Sequence, residues 1–131
     1  MKKKGVHFEI GCSDIAATSA FYQNVFDWNI EPIGRSAAIN ATDPEYLPGH
    51  LNQLDPKDPQ QYITVYIETD DIEADLAAVE ANGGQRKVGP IPLPDGRSFA
   101  WFIDVAGNIV GLITPKPWIS AIHEIGIGQM M

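Results

Sequence analysis

The chain has 131 residues, 44% apolar and 20% charged, which fits one globular domain spanning residues 1–131. Seventeen acidic against nine basic side chains give a formal charge of −8, which repels phosphate backbones and argues against nucleic-acid binding. No run approaches the roughly 18 uninterrupted apolar residues of a membrane helix, Lys2-Lys3-Lys4 leads into no signal-like apolar core, and Cys12 stands alone, so we expect no membrane span, no disulfide and a cytoplasmic location.

Val6 to Gly11 reads as a strand, with His7, Glu9 and Gly11 on one face and Phe8 and Ile10 on the other. Ser13-Asp14 supplies helix N-cap chemistry, and Ile15, Ser19, Tyr22 and Phe26 recur at helical spacing, widened by Phe21 and Val25. Trp28 to Ile33, Ser36 to Thr42 and Gly49 to Leu54 follow as short strands between Pro, Gly and Asp punctuation. A loop of Asp55-Pro56-Lys57-Asp58-Pro59 then opens a second unit. Tyr62 to Thr69 is its first strand, Asp71 its cap, Ile72, Leu76 and Val79 its helix face, and Asn82-Gly83-Gly84 its stop. Gln85 to Val88, Ser98 to Val105 and Asn108 to Thr114 complete it, with Pro90, Pro92 and Pro94 predicting an extended loop between the first two.

Laying Asp71-Ile72 over Asp14-Ile15 puts Leu76 over Ser19 and Tyr66 over Glu9, a repeat of about 57 residues. The expected fold is therefore α+β: two βαβββ modules, about 5–54 and 62–114, forming a curved mixed-sheet cup with helices outside, followed by a tail, 115–131. Each module leaves an apolar sheet face that must be covered within the chain or across a dimer, and with Trp118, Ile119, Ile122, Ile125 and Ile127 of the tail adding to that need we expect a homodimer.

This organisation resembles the vicinal oxygen chelate superfamily, which includes glyoxalase I, bleomycin-resistance proteins and extradiol dioxygenases. The landmarks are Ser13-Asp14-Ile15, Phe21-Tyr22, Phe26-Asp27-Trp28, Asp70-Asp71-Ile72, Asn82-Gly83-Gly84, and Asp104 with Gly107-Asn108. The stretch from Ile91-Pro92 through Gly96-Arg97 to Gly111-Leu112-Ile113 looks most like the glyoxalase-related bacterial branch. Asp27 and Val105 depart from it, standing where members often have Gly and Pro.

The resemblance implies four inward metal ligands, from the first and last strands of each unit. They fall on His7, on Thr64, on Gly111 and on one residue of Gly49 to Leu54, where His50, Asn52 and Leu54 share a face. Thr64 and Gly111 offer no useful ligand, so we expect no metal cofactor, the alternative being a divalent ion at His7 with His50 or Glu9. Glu9, two residues from His7 on one face, must be solvated, paired or raised in pKa. Tyr62, Thr64 and Tyr66 share a face, and with Tyr66 over Glu9 in the repeat we expect a paired cavity wall of Glu, His and Tyr.

Two functions follow. The first is a glyoxalase-like protein that binds a small organic molecule without metal and acts as a lyase or isomerase, with Glu9 as base and His7 as acid or oxyanion stabiliser, and His50, Asn52, Thr64, Tyr66 and Trp101 as ligand contacts. The second is a sequestering protein like the bleomycin-resistance proteins; a metal-dependent lactoylglutathione lyase or dioxygenase ranks below both. A raised Glu9 pKa would mark the base, an ionised and paired Glu9 the binder. Phosphate-cradling loops, dinucleotide fingerprints and nucleophile elbows are absent from the sequence.

Overall fold

The computed structural model describes residues 2–57 and 61–116. The tail residues from Trp118 onward, including the five apolar side chains that motivate a covering role, lie outside the described residues. The elements run β1 (Gly5–Cys12), α1 (Ile15–Phe26), β2 (Asn29–Ile33), β3 (Ser36–Asn40), β4 (Gly49–Gln53), β5 (Ile63–Glu68), α2 (Ile72–Ala81), β6 (Gln85–Pro92), β7 (Ser98–Ile103) and β8 (Ile109–Ile113). The two βαβββ modules and the α+β class are as expected. The chain packs as two compact units, Gly5–Tyr66 and Ile67 onward, the latter joined by the amino-terminal segment ending at Lys4.

In the unit of residues 5–66 the strand order is β2-β3-β4-β1-β5. β1 runs parallel to β4, pairing Glu9 with His50 and Ile10 with Leu51, whereas β3 is antiparallel to both β4 and β2, so the sheet is mixed. Alternation then sorts the faces. Ile10, Cys12, Ala37, Ile39 and Leu51 form the buried core, joined by Phe8, Ile15, Tyr22, Trp28 and Ile30. α1 starts where Asp14, in extended conformation, accepts the Ala17 N–H at 3.0 Å. The helix buries a narrower stripe than the periodicity predicts: Phe21 is 55% and Val25 54% exposed, so the widening residues face away from the core.

Cys12 is a small buried hydrophobe, its thiol 3.6 Å from the Asn52 carbonyl and its pKa pushed up by burial. As expected from strand parity, it stands on the face opposite His7.

In the other unit the order is β8-β7-β6, all antiparallel. Asp71 caps α2 as Asp14 caps α1, accepting the Ala74 N–H at 3.0 Å from nearly the same φ and ψ, −141° and 92° against −138° and 93°. Ile72 and Leu76 pack with Ala100 and Leu112, and Ile67 and Phe102 join them. The core-facing residues of β7 are thus Ala100 and Phe102, and Phe99, Trp101 and Ile103 alternate onto the other face of the strand. Lys3 Nζ reaches Asp75 at 2.6 Å and Thr69 at 3.0 Å, and the Glu68 N–H donates to the Lys4 carbonyl.

One expectation is corrected. The segment assigned to loop by its prolines is strand as far as Pro92: β6 tolerates Pro90 and Pro92 by shifting register against β7 twice, between Arg86 and Val88 and between Val88 and Ile91. Bulges relieve the missing N–H donors, so proline need not end a strand.

Leu51 is fully buried at the centre of the first core. Leu51→Ala should cost about 2–5 kcal/mol, read as a lowered urea midpoint at unchanged slope.

Candidate functional site

The β1/β4 register settles which residue of Gly49 to Leu54 meets the His7 face. His50 stands beside Glu9 and Asn52 beside Gly11, so all five side-chain positions share one side of the sheet. β5 lies on the other side of β1, tied by the Gly11 N–H to the Tyr62 carbonyl at 2.9 Å. Gly11 is required here: a Cβ at this position would fall 2.4 Å from the Tyr62 ring.

Glu9 is 2% exposed and is the centre of the arrangement. Its Oε1 accepts from the Tyr66 hydroxyl at 2.6 Å and from His50 Nε2 at 3.0 Å, and its Oε2 accepts from the Tyr62 hydroxyl. Asn52 Nδ2 donates to the Tyr62 oxygen at 3.0 Å. His50 Nδ1 lies 2.7 Å from His7 Nε2, and the two rings stand 5.0 Å apart, with the Tyr66 ring edge-on to His7 at 5.8 Å. The result is a chain of contacts from His7 through His50 to Glu9. Burial pushes the Glu9 carboxyl up, but the hydrogen bonds from His50, Tyr62 and Tyr66, together with the His50 charge, outweigh it and leave its pKa below the ordinary value.

Proton placement follows from these contacts. An ionised Glu9 accepts only, so His50 Nε2 carries a proton; with His50 neutral, its Nδ1 accepts and His7 Nε2 donates. His7 and His50 are only half-buried, whereas Glu9 beneath them is sealed. The carboxylate therefore holds His50, which in turn contacts the half-exposed His7.

Of the residues singled out in the sequence, His7, Glu9, His50, Asn52 and Tyr66 come together in this network, with Thr64 buried on the same face of β5 between the tyrosines. Trp101 lies in the other unit, half-buried and opposite Gly111 in the β7/β8 register. Tyr62 was legible only as a member of the Tyr62, Thr64, Tyr66 face. Its hydroxyl contact with Glu9 could have been found by asking which donors within reach of β1 would answer a buried acid.

The ligand set implied by the resemblance does not fit the donors present. Thr64 offers only a hydroxyl and Gly111 no side chain, both ring nitrogens of His50 are engaged, and both Glu9 oxygens accept tyrosine hydroxyls. Among the described residues no group of three His, Cys, Asp or Glu side chains is placed to hold a metal ion.

The sequence profile of the Glyoxalase/Bleomycin resistance protein/Dioxygenase superfamily matches residues 4–112. No curated protein gives a significant match. Among solved structures, a hypothetical protein from Bacillus halodurans C-125 is 18% identical, covering 89% of this chain and 97% of that one at a TM-score of 0.65. Methylmalonyl-CoA epimerase from Mycobacterium tuberculosis is 16% identical, covering 92% and 97% at 0.64. The Mn(II)-bound glyoxalase from Novosphingobium aromaticivorans is 21% identical, covering 86% of this chain and 40% of that one at 0.61. At these identities the likeness is one of fold.

Glu9 links the site to acid stability. Because its pKa is lowered on folding, its contribution is present above the ordinary value of 4.5 and is lost as pH falls from there through the folded value. Urea unfolding at stepped pH should show the wild type losing stability in that acid range, and Glu9→Gln should flatten that part of the profile.

Proposed function

This chain belongs to the Glyoxalase/Bleomycin resistance protein/Dioxygenase superfamily, and from that premise we propose that it binds a small organic molecule on the His7 and His50 face and catalyses metal-independent proton transfer beside a carbonyl group, as a lyase or isomerase. The observation that carries this reading is the contact chain from His7 through His50 to Glu9. A buried carboxylate that orients one imidazole fixes which nitrogen carries the proton, and a second imidazole in line can pass a proton to or from a bound ligand.

In this reading Glu9 is not the base expected from the sequence. Its lowered pKa and three donors make it a poor proton acceptor at neutral pH, and its role is to anchor His50. His7 and His50 are the acid and base, and the tyrosine hydroxyls hold the anchor. Metal independence rests on the donor chemistry: the nitrogens and oxygens that would ligate an ion are spent on one another.

The same observation supports a second reading, sequestration of a ligand without chemistry, since an ionised and paired Glu9 is what a binding pocket demands. Two compounds separate them. The hemithioacetal of methylglyoxal with glutathione and methylmalonyl-CoA, the ligand of one structural neighbour, are each incubated in deuterated water with EDTA-treated protein. Exchange of the proton beside the carbonyl is expected for at least one, surviving EDTA and falling about a hundredfold or more in His7→Gln. Exchange that requires added nickel or manganese overturns metal independence, and retention without exchange selects sequestration.

We also propose a cytosolic homodimer. Ile63 and Val65 on β5 are 71% and 43% exposed, apolar surface that a second copy would cover. Size-exclusion with light scattering should report a dimer at micromolar concentration, and monomer alone sinks the proposal.

A further inference from the structure

We propose that the unit of residues 5–66 carries a second ligand site, a groove walled by aromatic side chains and edged by Asp27 and Glu45, which takes a lipophilic organic cation. It lies on the opposite face of β1 from His7 and Glu9, because Phe8 lines it, and it stands independently of the function proposed above.

The groove encloses about 1000 Å3, the upper end for small-molecule pockets. Phe8, Phe26, Trp28 and Tyr46 supply its walls. Trp28 is held rigid by stacking on Tyr22 at 4.8 Å and 8°, while Phe26 and Tyr46 remain 56% and 60% exposed, apolar area that a greasy ligand would cover. The charged residues among the lining are Asp27 and Glu45, and no lysine, arginine or histidine stands with them among the described residues. Aromatic faces and acidic side chains attract the same thing, a cation whose substituents are apolar.

Asp27 is the strongest sign that this charge has a purpose. It ends α1 in the left-handed region at φ 58°, where a side chain is disfavoured. It also places an acidic group at the carbonyl end of the helix, where the negative pole of the backbone dipoles repels it, and the last turn of α1 holds no basic residue to offset it. The repeat shows the undemanding solution: past the end of α2, after Asn82, the left-handed residue is Gly83 at φ 96°. α1 thus keeps two unfavourable features at one residue, and a bound cation would be drawn by both the carboxylate and the helix end. Glu45 is preset on the other segment, in a turn where Asp43 accepts the Glu45 N–H on its carboxylate and the Tyr46 N–H on its carbonyl, both at 2.9 Å.

Tetraphenylphosphonium and tetraphenylborate are matched in size and opposite in charge, so the pair reads out charge preference directly. Calorimetry on the full chain should show saturable binding of the phosphonium ion, weakening with added sodium chloride, and little binding of the borate. Asp27→Gly and Glu45→Gln should each weaken the phosphonium ion about fivefold or more. Asp27→Gly should also raise the melting temperature of the unliganded protein, which separates loss of the site from loss of the fold. Equal binding of the borate, unchanged affinity in both variants, or no saturable binding of the phosphonium ion each overturns the proposal.

Discussion

A carboxylate sealed inside a protein must be met by donors or give up its charge, and at Glu9 the donors are in place. Removing such an ion from water costs several kcal/mol unless hydrogen bonds replace the hydration shell. Three side chains from the two flanking segments supply them: His50 from β4, Tyr66 from β5, and Tyr62 from the residue just before β5. Once β1 holds an acid at this position, the identities of its neighbours on both sides are constrained, the ring of Tyr62 needs the space left by Gly11, and His50 is left with one nitrogen to offer His7. The His7 and His50 face is the outer surface of a solved burial problem.

The repeat makes the asymmetry of the solution visible. The repeat lays Glu9 over Tyr66 and His7 over Thr64, so the ionisable groups sit on the first strand of one module and the hydroxyls on the first strand of the other. Two strands at equivalent places in the repeat, side by side in the unit of residues 5–66, carry the acid on one and the donor on the other. The part of β5 that answers Glu9 packs with the first unit, although by the repeat it opens the second module.

Much of this is legible in the sequence. Asp14 and Asp71 announced both helix starts because an extended residue with a short acceptor has one common use before an apolar periodic run, and the matched caps fixed the repeat. The His7 and Glu9 face followed from strand parity alone. What resisted were quantities set between strands rather than along them. The β1/β4 register, which brings His50 rather than Leu54 to Glu9, depends on pairing across a long connection and leaves no local mark. The exposure of Phe21 and Val25 depends on how wide a stripe the sheet can cover, and the strand character of Pro90 to Pro92 on bulges that proline-based punctuation cannot foresee.

The amino-terminal segment has a practical bearing on how this chain can be cut. Lys3 and Lys4 hold Thr69, Asp75 and Glu68, all beyond residue 66, so the chain starts in one unit, builds the other, and then returns. A dissection at the sequence midpoint therefore leaves each fragment wrong: the leading piece carries lysines that have lost their contacts, and the trailing piece lacks the segment that bonds the end of its first strand. Isolating the trailing unit calls for a permuted design in which those first residues are grafted ahead of residue 67 through a linker, and a bulky purification handle is better fused elsewhere than immediately before Lys3.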